Sequence, residues 1–488
     1  MKKLITAACC LLVLTASAQK KNKTAEKFAQ TILANELQTH LYIVASPEME
    51  GRETGTEGQR KAAEYLKQQF TKIGLAPGNN GSYEQFYPLY KDTLTDAQIS
   101  INGKSFEFGK DFSFASLRDL YTATLYFNEV VYLKEPDSLI DLKGKVVLIH
   151  AAGNTSFNSR SIQQLYKQQP AVVFFVQNNI SQMTSNRSRR MFFNLFNSKI
   201  NPISISVSPE VGKALLNEEF NDAKEMKLKT KAVSTELMFS VTKNLQTFSA
   251  SNILGVIEGS DKKDEWVVIS AHYDHIGIIN GKIHPGADDD GSGTVGLLEL
   301  AEAFAKAKAA GKGPRRNILF LAVSGEEKGL WGSEYYSNHP VYPLEKTSLD
   351  INIDMIGRKD DKLNSVDSNN HVYLIGDDKL SSELPNYVDS INNMYIKIIT
   401  DRKYNDPKDP NRLYFRSDHY NFARKGVPII FFFDGIHKDY HRPTDTPDKI
   451  NYDLYEKRTR LVFYLAWDAA NRNNMFVRDK SLADVPTR

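Results

Sequence analysis

Cysteine is nearly absent. The 488 residues hold two, Cys9 and Cys10, and both sit in a hydrophobic leader. Beyond it there is no thiol, which excludes disulfides, thiolate metal ligands and a cysteine nucleophile. An excess of charge is missing as well: 62 Lys and Arg stand against 59 Asp and Glu, for a formal charge of +3. A chain so close to balance lacks the basic footprint of a nucleic-acid binder. No apolar run approaches the roughly 20 residues of a membrane-spanning helix. Internal repeats and long low-complexity segments are also lacking.

The first residues read as a secretory signal. Lys2 and Lys3 precede a short apolar stretch over 4–16, and Ala16-Ser17-Ala18 fits a cleavage site before Gln19. Residues 1–18 are therefore expected to be removed from a secreted or periplasmic protein. The competing reading, a lipid anchor on Cys9 or Cys10, has too little apolar sequence ahead of either cysteine, and Thr6-Ala7-Ala8 is a poor lipobox. A secreted protein without disulfides depends on its core, and 41% hydrophobic content supplies one.

The chain divides by its patterning. Residues 25–118 open with helical periodicity, marked by Leu33, Leu37, Leu41 and Ile43, then by Ala62, Ala63, Leu66, Phe70 and Ile73 before Gly74 and Pro77. Residues 119–245 read as a separate β-rich unit, with strands near 146–149 and 171–176 and a long polar loop at 178–201. From 246 to 488 strands and helices alternate. Strands are expected at 253–257, 266–270, 318–323, 349–353, 372–375, 396–399 and 429–433, and an amphipathic helix at 294–307. That alternation predicts an α/β fold, a three-layer α/β/α sandwich on a mixed, mainly parallel central sheet.

The residues that carry chemistry stand where these strands end. His272 follows 266–270, Glu326 and Glu327 follow 318–323, Asp354 closes 349–353, and His441 comes a short loop after 429–433. Asp289 precedes the 294–307 helix. Open α/β sheets bind ligands at the carboxyl ends of their strands. Two imidazoles and three carboxylates delivered to one edge suit two zinc ions sharing a bridging carboxylate. His272, His441, Asp289, Glu327 and Asp354 make up that set. Glu326, beside Glu327, is the candidate to move a proton between water and a leaving amine. Any one of these residues alone reads as a helix cap or a solvated loop acid; five of them in this order do not.

At these residues the chain resembles the M28 family of zinc aminopeptidases. The matching stretches are AHYDHIG (271–277), GADDDGSG (286–293), GEEKGLWGS (325–333), NIDMIG (352–357) and Tyr440-His441, with EGRETGT (50–56) and SDHYNF (417–422) as further family-like segments. The resemblance implies one zinc on His272, Asp289 and Asp354 and a second on Asp289, Glu327 and His441. It implies Glu326 as general base, Asp274 orienting the His272 ring, and Tyr440 as a hydroxyl that stabilises the oxyanion. Asp290 departs from the family, where Asn is frequent. His275, His284 and His419 lie near the site in sequence and are read as supporting, substrate-facing or structural, because the ligand set is already full. The stretch DLKGKVVLI (141–149) is similar to protease-associated domains, which cover or shape a substrate entrance; a purely structural insertion is the alternative.

The activity this implies is removal of N-terminal residues from peptides with a free N-terminus, by a metal-bound hydroxide. A one-zinc glutaminyl cyclase, a dipeptidase or carboxypeptidase relative, and a non-catalytic binding protein on the same fold are the competing readings. Loops 178–201 and 401–416 are the candidates for setting substrate preference.

Overall fold

A computed structural model describes residues 21–136, 141–150, 157–178, 180, 191–195, 201–363 and 369–481. The leader and most of the 178–201 loop lie outside the described residues. The chain forms two compact units: one from the residues up to Tyr87 together with those from Ala250 onward, the other from Pro88–Ser249. The boundary expected at 118/119 therefore falls inside the second unit. Leu94, Ile99, Ile101, Phe106, Phe112 and Phe114 pack into its core with Val130, Leu148 and Val172.

The first unit is built on a mixed, largely parallel sheet with helices on both faces. Its strands run in the order Ile399–Asp401, His371–Ile375, Ile429–Phe433, Thr347–Ile353, Lys262–His272, Arg316–Val323 and the end of Lys231–Ile257. The four central strands, 429–433, 347–353, 262–272 and 316–323, are mutually parallel. Three of them are largely apolar runs, as burial on both faces favours, while Thr347–Ile353 buries Asp350 and Asn352, both of which accept from Ser270 Oγ. Alternate residues serve opposite layers. Val267, Ile269 and Ala271 pack with helices Ala34–Val44, Glu57–Ile73, Gly293–Ala309 and Tyr452–Asn471. Trp266 and Val268 pack toward Leu330, Tyr336 and Phe422 on the other side.

Two local expectations are corrected. On Ala34–Val44 the buried side chains are Leu37, Leu41 and Val44, while Leu33 and Ile43 are exposed. The strand expected at 396–399 is displaced: helix Leu384–Tyr395 is capped at Ile396, and the strand begins only at Ile399, as Ile399–Asp401. Asn392 bonds both the N–H and the carbonyl of Ile398, so that backbone is satisfied before any sheet pairing begins. No described helix is long and apolar enough to cross a membrane.

The second unit is β-rich. The first part of Lys231–Ile257 pairs antiparallel with Ala123–Tyr132. Val146–His150, Val172–Val176 and Ile203–Val207 continue the sheet in parallel, and Phe112–Phe114 closes it.

One buried acid of the first unit has a consequence for stability. Glu299 is 2% exposed on Gly293–Ala309. It clusters with Glu36 and Glu302, and its Oε1 lies 3.9 Å from His40 Nε2. Burial, with Glu36 and Glu302 adding to it, lifts the Glu299 carboxyl to about 8 from an ordinary 4.5. The folded chain then keeps a proton that the unfolded chain releases. The associated stability is full below about pH 4.5 and is lost as pH rises to about 8, at up to about 1.4 kcal/mol per pH unit. Glu299→Gln is expected to raise Tm at and above pH 8 while leaving it unchanged below pH 4.5. Parallel wild-type and variant curves of Tm against pH would refute this.

Candidate functional site

The parallel strands bring the chemistry to one edge. His272 is the last residue of Lys262–His272, Glu326 and Glu327 follow Arg316–Val323, and Asp354 follows Thr347–Ile353. His441 lies in the loop after Ile429–Phe433, with a left-handed backbone at φ 56°. Asp289 comes from the turn that leads into Gly293–Ala309.

Their side chains converge on two points. His272 Nε2 is 3.3 Å from Asp289 Oδ1 and 3.6 Å from Asp354 Oδ1. His441 Nε2 is 3.0 Å from Asp289 Oδ2 and 3.2 Å from Glu327 Oε2. Asp289 thus turns one oxygen toward each imidazole. Four ligands at about 2.0–2.1 Å around a tetrahedral zinc stand about 3.3 Å from one another, the spacing seen in both groups. His272 Nε2, His441 Nε2 and Asp289 Oδ2 are buried with no hydrogen-bond partner. Such atoms are costly to bury unless a cation satisfies them. The donor set fits two zinc ions.

The electrostatics agree with a cation-binding cluster. Burial alone would raise the Asp289 carboxyl, yet His272 and His441 hold it well below its ordinary range. Burial would depress His441, and Asp289 with Glu327 overrides it, to about 10. Glu326 Oε2 stands 4.0 Å from His272 Nε2. Burial lifts its carboxyl well above the usual range against the pull of His272, and Glu327 and Asp354 add to the lift.

The surroundings orient these groups. His272 Nδ1 faces the Asp274 carbonyl at 3.1 Å. A carbonyl only accepts, so the ring proton belongs on Nδ1 and the Nε2 lone pair faces the cluster. The Asp274 carboxylate lies 3.7 Å from the same nitrogen and also accepts from the Glu326 amide. The Tyr440 ring stacks on His441 at 3.9 Å. Its oxygen accepts from Arg416 at 2.9 Å, and burial, aided by Asp289 and Glu327, pushes the phenol well up, so it stays protonated.

The three consecutive aspartates divide their tasks. Asp290 lies close to His272 and Asp354, but its oxygens accept from the amides of His272, Gly293 and Met355. It therefore fastens three elements of the site. Asp288 accepts from Gly357 N and faces His437 Nε2 at 3.2 Å. Only Asp289 keeps an oxygen for each imidazole.

Several participants were not legible as such. The fully buried His275 brings Nδ1 to 2.7 Å from Glu327 Oε1, beside the ligand set rather than apart from it. Asp445 accepts from the amides of Asp288 and Asp289 and so holds the turn that presents the bridging carboxylate. The sequence places His275 near the site as a supporting residue without showing that Glu327 is its partner, and nothing local signals the role of Asp445. His284 bonds the Lys282 carbonyl. His419 is buried on Phe431 and bonds the Tyr414 carbonyl; burial drops it to about 3, so it is a neutral packing residue.

A shallow pocket opens beside the cluster. It is lined by Asp289, Glu326, Asp354, Arg416 and Tyr440 together with the apolar Met355, Leu413, Phe431, Phe433 and Ile436.

Residues 252–466 match the model of peptidase family M28. Aminopeptidase YwaD of Bacillus subtilis is 24% identical over 364 residues, covering 72% of this chain and 68% of that protein. Leucine aminopeptidase 1 of Sclerotinia sclerotiorum is 30% identical over 236 residues, 46% of this chain and 57% of the relative. The chain thus spans little more than half of the fungal protein. The solved structure of the aminopeptidase from Aneurinibacillus sp. strain AM-1 superposes with a TM-score of 0.51 at 18% identity, over 94% of this chain and 98% of that one, a likeness of fold.

Proposed function

With residues 252–466 belonging to peptidase family M28, we propose that this chain is a two-zinc aminopeptidase that hydrolyses the first peptide bond of peptides with a free N-terminus. The observation that carries this reading is Asp289, whose two oxygens face two different imidazoles at 3.3 and 3.0 Å. A one-zinc cyclase has no use for that arrangement. A binding protein has no reason to keep buried donor atoms without partners.

His272, Asp289 and Asp354 would hold one ion, and Asp289, Glu327 and His441 the other. Bound there, the ions would supply Lewis-acid polarisation of the scissile carbonyl and lower the pKa of water. Glu326 takes the proton of the attacking water and returns it to the departing amine. Its raised affinity for protons suits a group that must do both. Tyr440 accepts a hydrogen bond from Arg416, which leaves its own O–H free to donate to the oxygen where negative charge develops. An acidic group near the metals would hold the free α-amine, and the apolar Met355, Leu413 and Phe431 of the pocket lining favour an apolar first side chain.

The 1–18 leader supports action outside the cytoplasm, in a secreted or periplasmic setting. Residues 119–245 are read as protease-associated-like from their DLKGKVVLI stretch at 141–149.

The test is zinc content and turnover measured together on the purified mature protein. The substrates are a panel of aminoacyl amides, their N-blocked counterparts and an N-terminal glutaminyl peptide. About two zinc per chain, with cleavage of unblocked substrates only and a preference for apolar residues, is expected. One zinc with cyclisation of the glutaminyl peptide would replace this reading with the cyclase one. Absence of both zinc and turnover would leave a binding role.

A further inference from the structure

The EGRETGT turn at 50–56 contributes no ligand, yet two of its side chains are fully buried against the site: Arg52 and Thr54. The turn docks on the loop after His272. Gly277 N donates to Gly51 O, and His275 N to Arg52 O. Gly51 has to be glycine there: its φ is +68°, and an added Cβ would stand 2.5 Å from His284 O and 2.7 Å from Gly277 O.

Arg52 directs every bond at a backbone carbonyl. Nε donates to Tyr273 O at 2.8 Å, one terminal nitrogen to Val44 O and Pro285 O at 2.8 and 2.7 Å, and the other to Gly286 O at 2.9 Å. Tyr273 is next to His272, and Pro285 and Gly286 lead into Asp289. A single planar, rigid group therefore ties together the two loops that carry ligands for the same ion. Thr54 Oγ1 donates to Asp274 Oδ2 at 2.8 Å, from 220 residues away. The other Asp274 oxygen is the one beside the His272 ring and the Glu326 amide.

We infer that Arg52 and Thr54 are positioning residues for the zinc cluster. Arg52 sets the span between His272 and Asp289, and Thr54 fixes Asp274, whose carbonyl bonds His272 Nδ1 and whose carboxylate anchors the Glu326 loop. The inference rests on the zinc reading above. Partners that orient a metal ligand in this way typically change metal affinity by about 10–100-fold when removed.

The test replaces Thr54 with Val, which keeps the shape and removes the donor, and with Ser, which keeps the donor. Zinc affinity is measured by competition with a chromophoric chelator, alongside kcat, KM and Tm. Thr54→Val is expected to weaken zinc binding by about 10–100-fold and to lower kcat with little change in KM, while Thr54→Ser restores zinc affinity to within about threefold. Arg52→Lys, whose ammonium cannot span the carbonyls, is expected to weaken zinc binding in the same direction; if it does not fold, the Thr54 pair decides. A Thr54→Val protein with lowered Tm but wild-type zinc affinity and kcat would show a merely structural bond and overturn the inference. Wild-type protein that binds no zinc would overturn the zinc reading and this inference with it.

Discussion

Glu326→Gln is expected to keep both zinc ions and lose turnover by about 10²–10⁴-fold, the usual contribution of a positioned general acid–base. The geometry makes this a clean substitution. Glu326 Oε2 lies 4.0 Å from His272 Nε2, farther than the 3.0–3.6 Å that separates the donor atoms of each trio. The trios therefore survive its loss. Its backbone amide, which bonds Asp274, is untouched by the change. An amide of the same shape fills the same space but cannot take a proton from water. Zinc content and Tm should match wild type while kcat collapses. Activity within tenfold of wild type would remove Glu326 as the base and direct attention to another acid of the pocket lining.

Asp289→Ala is expected to empty both centres, with zinc falling below one per chain and activity lost. The reason is that, among the described residues, Asp289 is the carboxylate that reaches both His272 Nε2 and His441 Nε2, at 3.3 and 3.0 Å. Asp354→Ala is the control. It removes a group near His272 alone and should leave about one zinc, because the second trio stays whole. As the site stands, His272 and His441 also hold the Asp289 carboxyl well below its ordinary range, against the effect of burial. Its removal leaves His272 and His441 with fewer counter-charges, so binding of a cation between them becomes still harder. Full zinc content in Asp289→Ala, or equal losses in the two variants, would contradict the bridging assignment.

Much of this molecule could be read from the chain alone. The strands at 266–270, 318–323 and 429–433 were legible as near-continuous apolar runs, which burial on both faces favours, and 349–353 by the alternation of Leu349, Ile351 and Ile353. The residues that follow each run were legible because polar groups at strand ends have few other places to go. The misread stretch at 396–399 shows the limit. Ile396, Ile398 and Ile399 resemble a strand by composition, but Asn392 had already satisfied the Ile398 backbone, and no periodicity reports on such a bond.

The site shows the same division. The sequence by itself determined the residue types, their order and the strand that delivers each: two imidazoles, three carboxylates and a neighbouring Glu at one edge of a parallel sheet. Asp289 was named from the sequence and its family motif; tertiary structure supplied the aim, because Asp290 gives its oxygens to three amides and Asp288 faces Gly357 and His437, which leaves Asp289 for the imidazoles. Tertiary structure also brought His275 against Glu327, set Asp445 under the Asp289 turn, and placed Arg52 across carbonyls more than 220 residues away. Strand patterning is a local consequence of burial and is written along the chain. Distances near 3 Å between remote residues are set by how the layers pack, and no stretch of sequence contains them.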